Sequence, residues 1–311
     1  MSDIAVSVNN LTKKFGDFTA VSGVTFDVAK GEIFGFLGAN GAGKSTTIRM
    51  LCGILPPTSG TGIISGYDVV KNPEAVRQNI GYMSQKFSLY DELTVYENMR
   101  FFAKLYSVDG KNIDESIDEA VNLVKLEGYE SAKTKMLSAG IKQRLSLACA
   151  IIHKPGIIFL DEPTSGVDPI SRRNFWDLIY DFSKRGVTIF VTTHYMDEAE
   201  YCDRIAMISA GTLREIGTPE ELKTSKMIWD VFQINGFALY DAAEILIRME
   251  NVVDVGLLSD SIRVLSTGIT ACDIKNFLLK NGYDGYTVDK TSASLEDVFV
   301  SFAGRGGDSR I

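Results

Sequence analysis

Residues 38–46 read GANGAGKST, and the apolar run Ile33, Phe34, Phe36, Leu37 leads directly into them. Three glycines so close together carry a heavy backbone entropy cost, so something must require bare backbone there. Gly38 and Gly43-Lys44-Ser45 stand at the spacing of a phosphate-binding loop between a strand and a helix. In that arrangement the amides of Gly38, Ala39, Asn40, Gly41, Ala42, Gly43, Lys44, Ser45 and Thr46 reach phosphate oxygens with little side chain in the way. The positive end of the following helix adds to the attraction. Lys44 would then neutralise the β- and γ-phosphates, and Ser45 would offer a hydroxyl to Mg2+.

Two further apolar runs, Ile157–Leu160 and Val187–Val191, lack the alternation of half-buried strands and suit a parallel sheet covered on both faces. The strand carboxyl ends of such a sheet gather on one edge, where ligands bind. The first run ends in Asp161-Glu162-Pro163, and two carboxylates there have no evident packing use. Asp161 can reach the Mg2+ shell, while Glu162 can act as general base on a water in line with the γ-phosphate. The second run leads into Thr192-Thr193-His194. An imidazole at that edge can donate to the γ-phosphate and orient the water of Glu162. His153, in Ile152-His-Lys-Pro155, reads as a packing residue.

A length of 311 residues suggests a large and a small domain. The net charge of -8 argues against broad nucleic-acid binding, which relies on basic patches. Cys52, Cys149, Cys202 and Cys272 form no C-x-x-C pair and read as reduced core residues of a cytosolic protein. Met1-Ser-Asp-Ile4 shows no secretion signal, and no apolar run reaches the length of a membrane span, so any membrane role is expected to come through a partner.

Turn residues at Asn9-Asn10, Gly16-Asp17 and Lys30-Gly31 divide residues 4–31 into short strands. A helix with Ile48, Leu51 and Leu55 on one face is predicted to run up to Pro56-Pro57. Residues 87–155 look like a helical insertion, opened by the capping box Thr94-Val-Tyr-Glu97 and continued by Ile117, Val121 and Val124 at helical spacing. Asp168-Pro169 is an N-cap pair for a helix ending near Gly186, and Arg204–Ser209 with Thr212–Ile216 reads as a hairpin. The boundary is placed at the helix of Thr218-Pro-Glu-Glu221, giving domains 1–220 and 221–303 and a frayed tail 304–311. The second domain shows a βαββαβ order, as in a small ferredoxin-like α+β domain, and Ser294-Leu-Glu-Asp297 caps a last helix.

Taken together, Gly38–Thr46, Ile80-Gly-Tyr-Met-Ser-Gln85, Leu137-Ser-Ala-Gly-Ile-Lys-Gln-Arg144, Leu160-Asp-Glu-Pro-Thr-Ser-Gly-Val-Asp168 and His194 resemble the nucleotide-binding subunit of ATP-binding cassette (ABC) transporters, in that family's order over about the first 220 residues. The resemblance implies a P-loop NTPase core with a parallel sheet, an N-terminal antiparallel β-subdomain and an inserted helical subdomain, with ATP and Mg2+ as ligands. It implies that Phe15 stacks on adenine, that Gln85 touches Mg2+ and senses the membrane partner, and that Asp168 lies in the D-loop. Ser138 and Gly140 would lie in the signature loop, a helix end that meets the γ-phosphate bound to a second subunit. One such loop per chain implies two copies arranged head to tail. Ala139 and Ile141 stand where the family commonly has Gly and Gln or Met, and Val167 replaces a common Leu. The methyl of Ala139 is expected to loosen the closed dimer.

Thr193-His-Tyr-Met-Asp-Glu-Ala-Glu-Tyr-Cys-Asp-Arg204, with Ser294-Leu-Glu-Asp-Val-Phe299, resembles the bacterial exporter branch for drugs, lipids or polysaccharides. In that branch the ATPase pairs with a separate permease, which implies a cytoplasmic subunit peripheral on the inner face of the membrane. Phe87, Leu89 and Tyr90 either meet a permease helix or pack on the insertion. Three functions remain open at this point: an exporter ATPase, a soluble ABC ATPase acting on nucleic acid or ribosomes, and a nucleotide sensor without useful hydrolysis.

Overall fold

The computed structural model describes residues 4–85 and 88–303. Phe87, the start Met1-Ser-Asp and the tail 304–311 lie outside the described residues. The chain divides into two compact units between Ile216 and Gly217.

The first unit runs β1 (Ile4–Phe15), β2 (Phe18–Ala29), β3 (Ile33–Leu37), α1 (Lys44–Leu51), β4 (Ser59–Ile64), β5 (Tyr67–Asp68), α2 (Pro73–Asn79), β6 (Ile80–Met83), α3 (Val95–Leu105), α4 (Ile113–Val124), α5 (Ala139–Ile151), β7 (Ile157–Asp161), α6 (Pro169–Lys184), β8 (Thr188–Thr193), α7 (Met196–Ala199), β9 (Arg204–Ser209) and β10 (Thr212–Gly217). One sheet, of order β2-β1-β4-β5, is antiparallel. The other has the order β10-β9-β3-β8-β7-β6, with β6, β7, β8, β3 and β9 parallel. β3, β7 and β8 are buried at every residue, as runs without alternation require. The two sheets meet through aromatic rings: Phe26 of β2 stacks on Phe34 of β3 at 5.3 Å, and Phe36, Phe159 and Phe190 close the cluster.

Three local expectations need correction. Asn9-Asn10 does not end a strand. β1 is continuous, and Asn10, with φ 48°, sits in a register shift between Val8 and Leu11 while its N–H bonds Thr25 Oγ1. α1 stops at Leu51, leaving Leu55 outside it. Gly53, with φ 64°, turns the chain where a Cβ would lie 3.1 Å from the Pro73 backbone. Cys272 is exposed, whereas Cys52, Cys149 and Cys202 are buried.

The insertion is helical through α3, α4 and α5. Thr94 Oγ1 accepts from Glu97 N at 3.1 Å and Glu97 Oε2 accepts from Thr94 N at 2.8 Å, satisfying two amides that α3 would otherwise leave unpaired. His153 packs structurally, stacked on Tyr106 at 3.9 Å and bonded to Ile80 O.

The second unit comprises α8 (Pro219–Thr224), β11 (Asp230–Asn235), α9 (Leu239–Leu246), β12 (Val252–Leu257), β13 (Ile262–Ser266), α10 (Ala271–Lys280), β14 (Thr287–Thr291) and α11 (Leu295–Ala303). Its antiparallel sheet has the order β12-β13-β11-β14, the ferredoxin-like arrangement of a βαββαβ chain. Phe232, Ile234, Ile262 and Val264 of the sheet pack with Ala242, Leu246, Ile274 and Leu278 of α9 and α10. Arg263 points to the opposite face and grips Asp297 of α11, Nε to Oδ1 at 2.7 Å. Asp297 Oδ2 also accepts from Ser294 N, so Ser294-Leu-Glu-Asp297 is a helix cap locked by an ion pair.

Candidate functional site

The glycine loop leaves β3 at Leu37, between β8 and β9, and enters α1 at Lys44. Its glycines are needed where they stand. A Cβ on Gly38 would lie 2.5 Å from Ile208 O, and one on Gly43, whose φ is 103°, would lie 2.6 Å from Ala20 O. Lys44 folds back under the loop, its Nζ donating to Gly38 O at 2.7 Å and Ala39 O at 3.1 Å.

Parallel registry brings the other groups to this edge. Leu37 pairs with Thr193 and Asp161 with Thr192, so β3, β7 and β8 end side by side. Ser45 Oγ donates to Asp161 Oδ1 at 3.0 Å, and Thr192 Oγ1 donates to the same oxygen at 2.7 Å. Asp161 Oδ2 is buried with no partner. Burial raises the carboxyl of Asp161 above its usual range, against the opposing pull of the two hydroxyls. A buried carboxylate oxygen with a free lone pair, beside a serine hydroxyl, fits a hard cation. Among the described residues no three His, Cys, Asp or Glu side chains gather, so such a cation would be held by one or two protein oxygens and a bound ligand.

Glu162 sits in the left-handed region at φ 48°, its N–H bonded to both Thr192 Oγ1 and Thr192 O. This turn aims the carboxylate into the cleft, where three donors meet it. Lys44 Nζ lies 3.1 Å from Oε1, Gln85 Nε2 3.0 Å from Oε2, and His194 Nδ1 3.1 Å from Oε2. Lys44 and Glu162 are almost fully buried, at 4% and 5% exposure.

A cleft of about 470 Å3 opens above these groups, lined by Phe15, Asn40, Gly41, Gly43, Lys44, Ser45, Thr46, Gln85 and Glu162 among the residues singled out from the sequence. Gly38, Ala39 and Ala42 build the loop beneath it. Phe15 is half exposed, a ring held at the rim with Lys13 Nζ 5.2 Å from its centroid. Ser138, Gly140 and Asp168 do not line this cleft. They stand at two helix starts: Ser138 Oγ caps α5 through Ile141 N, and Asp168 Oδ1 caps α6 through Ser171 N at 2.9 Å. Gly140 lies where a Cβ would come 2.7 Å from Ser171 Oγ, so the two helix starts abut. The cap draws the Asp168 carboxyl below its usual range.

Several participants were missed in the sequence. Phe18 faces Phe15 across the β1–β2 hairpin and lines the cleft; a second aromatic three residues on was the available signal. Thr192 bridges the Asp161 carboxylate and the Glu162 N–H, signalled only by a hydroxyl following the apolar run of β8. Glu198, fully buried, accepts from Thr164 Oγ1 and Thr193 Oγ1, and nothing in its spacing announced it.

The chain is similar to known proteins in sequence and in fold. The sequence model of the family described as ABC transporter matches residues 21–165. The chain is 52% identical over 221 residues to the probable multidrug ABC transporter ATP-binding protein YbhF of Escherichia coli, a match covering 71% of this chain and 38% of that protein. This chain therefore spans well under half the length of that relative. It is 34% identical over 311 residues to the Nod factor export ATP-binding protein I of Rhizobium meliloti, covering 97% of this chain and 89% of the relative. Among solved structures, CbiO1 of Clostridium perfringens, part of the ABC transporter complex CbiONQ, superimposes with a TM-score of 0.67 at 29% identity, covering 72% of this chain and 92% of that one. A dimeric ATP-binding cassette in a post-hydrolysis state, bound to ADP and Pi, gives 0.63 at 26% identity over 68% of this chain and 98% of that one.

Proposed function

The chain belongs to the ABC transporter family as one of its ATP-binding proteins, and on that premise we propose that it binds and hydrolyses ATP to drive an exporter through a separate membrane permease. The observation that carries this reading is the convergence of Lys44, Ser45, Gln85 and Glu162 on one cleft with an aromatic rim, with Asp161 bonded behind Ser45 and His194 bonded to Glu162. The words multidrug and export in the relatives' names support the exporter branch over a ribosomal ATPase or a silent sensor.

In this reading the triphosphate lies on the amides of residues 38–46 with adenine against Phe15. Its oxygens outcompete the carbonyls of Gly38 and Ala39 for Lys44, and the lysine leaves Glu162 as it turns to the phosphates. Glu162, still held by Gln85 and His194, then takes the proton of the attacking water. His194, its Nδ1 hydrogen-bonded to Glu162, presents Nε2 to the γ-phosphate. Ser45, Asp161 and Gln85 would hold Mg2+, which would supply neutralisation of phosphate charge.

Ser138, Gly140 and Asp168 serve a second copy of the chain. Their helix starts carry anion-seeking amides, yet they stand off this chain's own cleft. Two copies set head to tail would close two sites, with ATP as the glue. Residues 1–220 form the ATPase domain in this scheme, and the C-terminal α+β domain regulates or dimerises. Leu89 and the exposed Tyr90 belong to the surface that meets the permease. Among the described residues no helix is long and apolar enough to cross a membrane. In this scheme the subunit sits on the cytoplasmic face of its permease. The test is a titration with ATP and Mg2+, followed by turnover. Lys44→Ala should bind ATP roughly ten- to hundred-fold more weakly, the worth of one charged hydrogen-bond set. Unchanged affinity in that variant would overturn the reading.

A further inference from the structure

His194 follows β8 directly, and nothing in its own backbone dictates which way the ring faces. Its neighbour supplies the constraint. The Tyr195 ring lies against the His194 ring, with centroids 4.1 Å apart. On Tyr195 sits the guanidinium of Arg172, 4.1 Å from the ring centroid. Arg172 is held there by charge rather than by a formed hydrogen bond: its Nε lies 3.3 Å from Glu198 Oε1 and its Nη1 3.6 Å from Asp197 Oδ2. Glu198 is fully buried and tied to Thr164 and Thr193, which fixes the carboxylate that Arg172 faces. Arg172 belongs to the first turn of α6, its N–H bonded to Asp168 O.

We propose that Tyr195, clamped by Arg172, is a positioning residue that holds the His194 ring with Nδ1 on Glu162. The proposal rests on the reading of Glu162 and His194 as the hydrolytic pair. Without the clamp, a ring only a quarter exposed keeps room to rotate, and Nδ1 leaves its place 3.1 Å from Oε2. A displacement of about 1 Å in a reacting group lowers turnover by up to roughly a hundred-fold. The stack also ties the aim of His194 to the helix that Asp168 begins. Movement at that helix start is therefore felt at the imidazole.

Tyr195 carries the test, because replacing Arg172 strands the buried carboxylate of Glu198 and risks unfolding. The chain has two histidines, so imidazole 15N spectra of the full-length protein contain one internal control, His153. In Tyr195→Ala the His194 nitrogens should lose their single signal of a hydrogen-bonded Nδ1 while His153 stays unchanged. Its kcat for ATP should fall on the order of ten- to a hundred-fold with KM within two-fold. Tyr195→Phe keeps the ring and should behave as wild type. A Tyr195→Ala protein with the wild-type His194 pattern and wild-type kcat would overturn the clamp. If His194→Ala itself turns over normally, the assignment of His194 fails instead, whatever Tyr195 does.

Discussion

Replacing Glu162 with glutamine tests the chemistry and the electrostatics of the site together. Both carboxylate oxygens accept: Oε1 from Lys44 at 3.1 Å, Oε2 from Gln85 and His194 at 3.0 and 3.1 Å. An amide offers one acceptor, so its NH2 must face either the lysine or the other two donors. At 3.1 Å the lost charge pair is worth about 5 kcal/mol in an effective dielectric near 20. The surviving carbonyl hydrogen bond and local relaxation return much of this, leaving a net loss of about 1–3 kcal/mol. For a domain of this size that lowers the melting temperature by roughly 2–10 °C. ATP draws Lys44 to the phosphates, so the deficit should shrink when nucleotide is added. Turnover should drop about 10²–10⁴-fold, the contribution of a general base, and ATP-bound dimers should accumulate. The assays are steady-state phosphate release, size-exclusion chromatography with ATP and Mg2+, and melts with and without ATP. Turnover within a few-fold of wild type would refute the role of Glu162. An unchanged melt without ATP would refute the stabilising role of its pair with Lys44.

Further expectations follow from single contacts. Asp161→Asn should abolish Mg2+-dependent turnover yet raise stability at pH 7 without Mg2+. The raised carboxyl stabilises the fold when protonated and loses that contribution as pH rises, so the advantage of the variant should fade in melts taken toward pH 4. Phe15→Ala should weaken ATP binding by about 1–3 kcal/mol with little change in melting temperature, since its ring is half exposed; equal affinity in a fluorescent-nucleotide titration would rule out stacking. Burial lowers the pKa of His153 to about 4, so the unfolded chain takes up that proton first. The contribution of the neutral ring is present above about pH 6.5 and is lost as pH falls toward 4, by about 3 kcal/mol. His153→Asn should flatten the slope of stability against pH across that interval in denaturant titrations.

Much of the fold was legible because local chemistry writes local backbone. The spacing of Gly38, Gly43, Lys44 and Ser45 needs no tertiary information to specify an anion cradle. Uninterrupted apolar runs ending in Asp161-Glu162 and Thr193-His194 identify buried parallel strands with polar ends. The cap residues Thr94, Asp168, Thr218 and Ser294 mark helix starts through bonds that span three residues. The errors were local too. At Asn9-Asn10, pairing of β1 on both sides with β2 and β4 overrode a turn-forming dipeptide and made it a bulge.

What the sequence by itself determined is therefore a set of parts: a phosphate loop, two carboxylates, an imidazole and the strand ends that carry them. Only the tertiary structure decided which parts touch. Ser45 reaches Asp161 across 116 residues, and Gln85 reaches Glu162 across 77. The bridge of Thr192 from the Asp161 carboxylate to the Glu162 backbone N–H and the stack of Arg172 on Tyr195 are likewise invisible in spacing. The physical reason is that registry between distant strands is set by burying Phe34, Phe159 and Phe190 against Phe26, a non-directional force that leaves no positional mark on the residues it brings together.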